Sequence, residues 1–263
     1  MSRAGTRIVI AGAGGKMGRT LIESVLADRS LVLAAAFDVR GSAAVGTSIG
    51  GIKVGSDAGK AVAAGDVLVD FTRPEGTIEH LAACARLGKP IVIGTTGFPE
   101  RLTKAILQAG HKIPIAMSPN FAIGVNAVFK LAEAAAKILG DDYDVEIVEA
   151  HHRQKVDAPS GTALKLGEIV AKALKRDLAK TAVYGRQGDT GVRPAGQIGF
   201  HAIRGGDIVG EHTVIFAGTG ERVEVTIRSQ SRMTYALGAL RAAKFLRGKR
   251  AGLYDMNDVL GLK

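Results

Sequence analysis

Short apolar runs alternate with longer segments of helical period through the first 120 residues. The runs at 7–11, 31–37, 67–71, 90–93 and 113–117 are nearly continuous in Val, Ile, Leu and Ala, the pattern of strands covered on both faces. Segments 17–27 and 77–87 between them place apolar residues at helical spacing. Strand–helix alternation predicts a parallel sheet flanked by helices, because parallel neighbours need crossover connections. After a further helix over 126–139 the pattern changes. Segment 144–150 reads as a strand, 163–174 as an amphipathic helix, and 196–203, 207–216 and 222–229 as strands separated by turn residues. "RGGD" at 204–207 and "AGTGE" at 217–221 read as hairpin turns. An antiparallel or mixed sheet, hence a second domain, follows. The fold class is α/β: a parallel-sheet domain over 1–122, an α+β mixed-sheet domain over 123–232, and a helix over 234–246 within a segment, 233–263, that packs back on the first domain.

"RIVIAGAGGKMGRTLIESVLA" sets a strand, a glycine turn and a helix in immediate succession. A dinucleotide requires glycine for the tight turn, for close approach of the pyrophosphate, and for packing of helix on strand. Gly12, Gly15 and Gly18 supply these in the spacing G-x-x-G-x-x-G, with Gly14 inside the turn, which departs from the strict G-x-G-x-x-G form. The next strand ends at Asp38, 20 residues after Gly18, where a carboxylate can bind the ribose hydroxyls of NAD. Arg40 and Lys16 stand near enough in sequence to meet the extra phosphate of NADP. Two more loops follow predicted strands: "GTTG" at 94–97 and "SPNF" at 118–121. Ligands of open α/β sheets bind beyond the carboxyl ends of strands, so both loops are candidate cofactor contacts.

Composition narrows the choices. The 35 glycines among 263 residues are nearly twice the usual share of about 7%. One cysteine, Cys84, excludes an internal disulfide framework and a cysteine-rich metal site and fits a reducing, cytoplasmic setting. No apolar run reaches membrane-spanning length, and the early "RIVIAGAGG" does not read as a secretory signal. The net charge of +10 is uneven: residues 1–150 hold 16 basic and 15 acidic side chains, residues 151–263 hold 19 and 10. Such a field attracts anions of any kind. The densest stretch, "RAAKFLRGKR" at 241–250, reads as the solvated face of a helix.

The chemistry concentrates in "EAHHRQKVDAPSGTA", residues 149–163. His151 and Lys155 are four apart, a spacing that shares a face in regular backbone. An imidazole can supply a proton near neutrality, and the Lys155 ammonium can anchor a carboxylate or donate a proton. Gly161 and Thr162 stand where a helix N-terminus presents N–H groups to an anion. Ser160 also reads as a helix cap, Asp157 as a surface ion-pair partner, and too few ligands are near for a metal. The set suits reduction of a small dianionic substrate.

On these motifs, with "GAGGKMG" (12–18), "DFTRPEGT" (70–77), "GTTGF" (94–98), "SPNF" and "GDIVGEHTV" (206–214), the sequence resembles the 4-hydroxy-tetrahydrodipicolinate reductases, also called dihydrodipicolinate reductases, over essentially its whole length. The resemblance implies an N-terminal Rossmann domain and a C-terminal domain that binds a small dicarboxylate and builds a homotetramer. It implies NADH or NADPH as cofactor, held by Gly12, Ala13, Gly14, Gly15, Lys16, Met17, Asp38, Gly94, Thr95, Thr96, Ser118, Pro119, Asn120 and Phe121. His151 and Lys155 would be the proton-donating pair, and His152, Ser160, Gly161 and Thr162 would hold the substrate. It further implies a role in lysine and diaminopimelate biosynthesis, and closure of the two domains on their ligands. Family members often carry Arg directly after the acidic ribose-binding residue; here Val39 stands there and Arg40 follows.

Two rival readings make different demands. An aspartate-semialdehyde dehydrogenase needs a nucleophilic cysteine, and Cys84 lies in the helical apolar context "HLAACARLG". A dinucleotide-sensing nucleic-acid binder needs a recognition helix or stacking aromatics, and neither motif is present.

Overall fold

A computed structural model describes residues 5–262. The chain opens with β1 (Thr6–Ala11), α1 (Lys16–Ala27), β2 (Leu31–Phe37), a small hairpin β3 (Ser48–Ile49) and β4 (Ile52–Lys53), and α2 (Ala58–Ala63). It continues through β5 (Val67–Asp70), α3 (Pro74–Leu87), β6 (Ile91–Ile93), α4 (Glu100–Gly110), β7 (Pro114–Met117) and α5 (Ile123–Leu139). Then come β8 (Asp144–His151), α6 (Gly161–Ala173), α7 (Leu178–Thr181), β9 (Ala182–Tyr184), β10 (Ile198–Arg204), β11 (Gly210–Ala217) and β12 (Arg222–Ser229). The last elements are α8 (Met233–Leu246), β13 (Gly252–Tyr254) and α9 (Met256–Leu260). Two compact units result: the described residues up to Ile123 with those from Arg232 onward, and Gly124–Ser231.

In the first unit a parallel sheet runs in the order β13-β7-β6-β5-β1-β2. The chain passes from β1 to β2 on one side, then returns across β1 to β5. The ends of β1 and β5 therefore form the switch point at which open α/β sheets bind ligands. Alternate residues of β1 serve two cores: Ile8 and Ile10 pack with Leu21, Val25, Leu240 and Ala243 of α1 and α8, while Val9 and Ala11 pack with Val62, Leu81 and Cys84 of α2 and α3. Cover on both faces is why these strands read as unbroken apolar runs. Helix α3 begins at Pro74, three residues before the periodic pattern, since proline suits a first helical position. It stops at Gly88, whose φ of 64° is left-handed. The basic stretch 241–250 is a helix face only in part: Arg241 and Lys244 are exposed on α8, Lys244 bonded to Asp28, while Ala242, Ala243 and Leu246 are buried and Arg247, Lys249 and Arg250 follow the end of the helix.

The second unit holds a mixed sheet in the order β12-β11-β8-β10-β9, with β8, β10 and β9 parallel and β11 antiparallel to β8 and β12. Val128, Ala132 and Ala136 of α5, with Leu166 and Val170 of α6, cover Val145, Ile147, Phe200, Val214 and Phe216. The turn at 217–221 closes the β11–β12 hairpin. The turn at 204–207 does not make a hairpin, because β8 lies between β10 and β11. It passes over the end of β8 instead: Gly205 N–H donates to the carbonyl of His151 and Arg153 N–H to that of Gly206. A tight reversal of direction looks the same in sequence whether or not a strand fills the gap.

Candidate active site

The first unit places a glycine turn between the end of β1 and the start of α1. Gly12 holds φ of +68°, a conformation that favours glycine. A Cβ at Gly18 would stand 2.1 Å from the carbonyl oxygen of Gly12, so helix and turn meet at a distance only glycine permits. Gly15 precedes α1 with no side-chain cap, and no acidic residue occupies the first turn. The opening N–H groups of a twelve-residue helix thus have no side-chain cap or first-turn carboxylate to offset them, which favours an anion there in electrostatic terms. Asp38 sits at the end of β2. Its Oδ2 accepts the Gly14 N–H at 2.8 Å and its Oδ1 the Val39 N–H at 2.8 Å. The carboxylate therefore also braces the turn. Val39 beside it is 74% exposed. A surface cavity of about 420 Å³ opens next to Gly14, lined also by Arg19, Glu23, Ser42 and Thr47. Left-handed Gly12, the close contact at Gly18, the uncapped helix and the adjacent carboxylate fit a dinucleotide.

The loops after β6 and β7 line a second cavity, of about 580 Å³, with Thr95, Thr96, Met117, Ser118, Pro119 and Tyr254 on its walls. Gly94 is glycine because the Phe71 ring lies where its Cβ would be, 2.1 Å away. Thr95 is buried and bonds to the Thr77 hydroxyl at 2.8 Å, so its side chain anchors the loop while Thr96 stays exposed. Ser118 is likewise turned inward, donating to the carbonyl of Asn120, whose Oδ1 accepts the Ala122 N–H. Phe121 is a core residue packed near Phe71, and its carbonyl oxygen lies against Gly238 of α8, where a Cβ would stand 1.7 Å away.

In the second unit β8 aims two side chains at one place. Val145, Ile147, Glu149 and His151 share a face of the strand: the first two enter the core and the last two form the site. Strand register sets Arg204 opposite His151 and His212 opposite Glu149. Glu149 accepts His151 Nδ1–H at 2.6 Å and both Nη groups of Arg204, at 2.8 and 2.7 Å. The same carboxylate accepts the Ser160 N–H at 3.0 Å. Ser160 caps α6, its Oγ accepting the Ala163 N–H at 3.2 Å and lying 3.0 Å from His212 Nε2. Gly161, exposed, is the first residue of α6, and Thr162 follows it. His152 is half-buried, and its Nδ1 has no partner among the described residues. Lys155 bonds the exposed Asp157 carboxylate at 2.8 and 2.9 Å.

His151 and Lys155 are not joined by regular backbone. A turn closed by Lys155 N–H on the His152 carbonyl lies between them, so the shared face expected from a spacing of four does not arise that way. Lys155 does lie close enough for its charge to oppose protonation of His151. Burial holds the His151 imidazole below its usual range, against the pull of the Glu149 carboxylate. Burial also drives His212 down to about 4, with His151 adding to the effect. A neutral His212 shares a hydrogen bond at Nε2 with the Ser160 hydroxyl. Glu149 stays ionised because Arg204, His151 and the Ser160 N–H together outweigh its burial.

Two family models together span nearly the whole chain: residues 6–121 match the N-terminal and residues 124–260 the C-terminal model of dihydrodipicolinate reductase. The chain belongs to the dihydrodipicolinate reductase family. A relative from Aromatoleum aromaticum named 4-hydroxy-tetrahydrodipicolinate reductase is 59% identical, with 98% of this chain and 96% of that protein covered. One of the same name from Cupriavidus metallidurans is 56% identical over 98% of this chain and its own full length. Among solved structures, the dipicolinate-bound dihydrodipicolinate reductase of Paenisporosarcina sp. TG-14 matches with a TM-score of 0.78 at 25% identity, covering 97% of this chain and 98% of that one.

Within this dihydrodipicolinate reductase framework Cys84 has no nucleophilic part. It is fully buried, and burial pushes its thiol up to about 12, where the reactive thiolate is negligible. Glu149, Arg204 and His212 are site residues that motif reasoning did not assign. The only local signal for Glu149 is its position two before His151 on a strand. Arg204 lay in a segment read as a turn. Among the described residues no cluster of His, Cys, Asp or Glu could hold a metal, and no helix is long and apolar enough to cross a membrane.

Proposed function

We propose that the cluster at the end of β8 binds and protonates the substrate in the reduction of 4-hydroxy-tetrahydrodipicolinate to tetrahydrodipicolinate. The observation that carries this reading is the buried Glu149–His151 pair beside Lys155 and the start of α6. The reaction consumes one hydride and one proton and releases the 4-hydroxyl as water; NADH or NADPH supplies the hydride. The uncapped start of α1, the turn from Gly12 to Met17 and Asp38 hold the cofactor, with the loops at Gly94, Thr95 and Thr96 and at Ser118, Pro119, Asn120 and Phe121 forming the rest of its site. The N–H groups of Gly161 and Thr162 and the Lys155 ammonium receive the substrate carboxylates, with Ser160 shaping the turn and His152 beside it. A dianion arriving here raises the pKa of His151. Its Nε2, the nitrogen not committed to Glu149, then carries the proton to be given up, and Lys155 is the second donor. The same reading places the chain in the cytoplasm as a homotetramer, a state that sedimentation velocity measures directly.

The test is NADH and NADPH oxidation while the substrate is generated in situ from pyruvate and aspartate semialdehyde. Oxidation that depends on the synthase product is the expected result; its absence in a sample that binds cofactor overturns the reading. Asp38→Ala is expected to weaken both cofactors, because the Gly14 N–H loses its acceptor, and to weaken NADH more. Fluorescence titration with each cofactor checks this. A larger loss for NADPH would remove Asp38 from the ribose.

A further inference from the structure

We infer that Glu149 is a positioning residue, one carboxylate that fixes both the His151 imidazole and the turn opening α6, with Arg204 locking that carboxylate in place. The inference rests on the reading of His151 as a proton donor. Glu149 is 1% exposed, yet it meets four donors: Oε2 takes His151 Nδ1–H and Arg204 Nη1, and Oε1 takes the Ser160 N–H and Arg204 Nη2. Four donors fill the acceptor capacity of an ionised carboxylate. No water or alternative partner is needed, and rotation of the group would break several bonds at once.

Two consequences follow for the chemistry. The first concerns the tautomer. With Nδ1–H committed to Glu149, proton exchange at His151 is confined to Nε2. The backbone of Gly210 lies beside that nitrogen, where a Cβ would come within 3.1 Å; glycine keeps the approach open. The second concerns registration. Arg204 Nη2 also donates to the carbonyl of Asp157 at 2.7 Å, and Asp157 bonds Lys155. One buried ion pair thereby ties the end of β8, the loop carrying Lys155, the α6 turn and the end of β10. The groups facing His151 are Glu149 from its own strand, Arg204 from β10, His212 from β11 and Lys155 from the loop. Glu149 is the one anion among them, so it alone favours the imidazolium.

The experiment is a cycle of His151→Gln, Glu149→Gln and the double variant in the full chain, with kcat, KM and pH profiles. Glu149→Gln is expected to lower kcat roughly ten- to hundredfold, a share of what a general acid contributes, and to shift the acid–base limb assigned to His151 to lower pH. In the His151→Gln background it is expected to add less than about twofold in kcat, because the amide oxygen that Glu149→Gln retains can still accept the Ser160 N–H and the remaining effect on proton transfer passes through the imidazole. Independent, multiplying losses or an unmoved limb would overturn the positioning role while leaving His151 as donor. No loss of kcat with His151→Gln alone would overturn both. Nitrogen-15 NMR of histidine-labelled wild-type protein needs no variant. It should show His151 Nδ1 protonated throughout the titration, and a neutral form carrying its proton on Nε2 would refute the inference.

Discussion

Lys155→Ala is expected to lower kcat/KM by about a thousandfold, about 4 kcal/mol of transition-state stabilisation at 1.36 kcal/mol per factor of ten. Two losses combine in that figure. In the proposed reading the ammonium anchors a substrate carboxylate and is the second proton source beside His151. Its resting partner is Asp157, a largely exposed carboxylate. A pair of that kind contributes only about 0.2–1 kcal/mol, so Lys155 exchanges Asp157 for a dianion at little cost. For the same reason the substitution should leave the melting temperature almost unchanged. NADH affinity should also persist, because Lys155 belongs to the 124–231 unit and the phosphate turn to the other. Steady-state kinetics with cofactor titration check the three expectations together. Activity within about threefold of wild type would show Lys155 to be a surface partner of Asp157 and no more.

How much of this was legible in the sequence depends on the distance over which each feature is encoded. The strands of the first unit were readable because burial on both faces writes a continuous apolar run, and the glycine turn because Gly15 and Gly18 answer to contacts with Gly12 in the same turn. Ser160 as a cap and Asp157 as an ion-pair partner are local too, and both stand in the structure. The short edge strand β13 and helix α4 were not read. Three residues beside β7 carry no period of their own, whereas α4 does carry one, burying Leu102, Ile106 and Ala109 at helical spacing, so that helix was legible in the sequence. The partner of Glu149 was beyond reach for another reason. Arg204 lies 55 residues away, and the pairing arises because β10 lies parallel to β8 in a register that ends at His151. Reading 204–207 as a hairpin put β11 next to β10, so that β8, and with it Glu149, was missing from between them. One topological step separates a list of plausible residues from an ordered site.

Arg204→Ala carries the largest expected effect on stability, and its pH dependence distinguishes charge from packing. Removing the guanidinium leaves the Glu149 carboxylate buried with only His151 and the Ser160 N–H as donors. Breaking one side of a buried ion pair costs about 3–5 kcal/mol, since the stranded charge keeps its desolvation penalty. In the wild type the folded-state pKa of Glu149 lies below its ordinary value. Its contribution is therefore fully present above the unfolded-state pKa and is lost as pH falls through the folded one. In the variant the balance reverses: burial, the largest single influence on Glu149, is opposed by fewer bonds, and protonation relieves the stranded charge. The gap in melting temperature between the two proteins should be widest near pH 7 and should narrow toward pH 4. Arg204→Lys should fall between them, because an ammonium restores the charge without the two-pronged geometry. Thermal melts at the two pH values measure all of this. A gap that stays constant with pH would mean that Arg204 stabilises the unit through the packing of its stem, and that Glu149 does not depend on it for its charge.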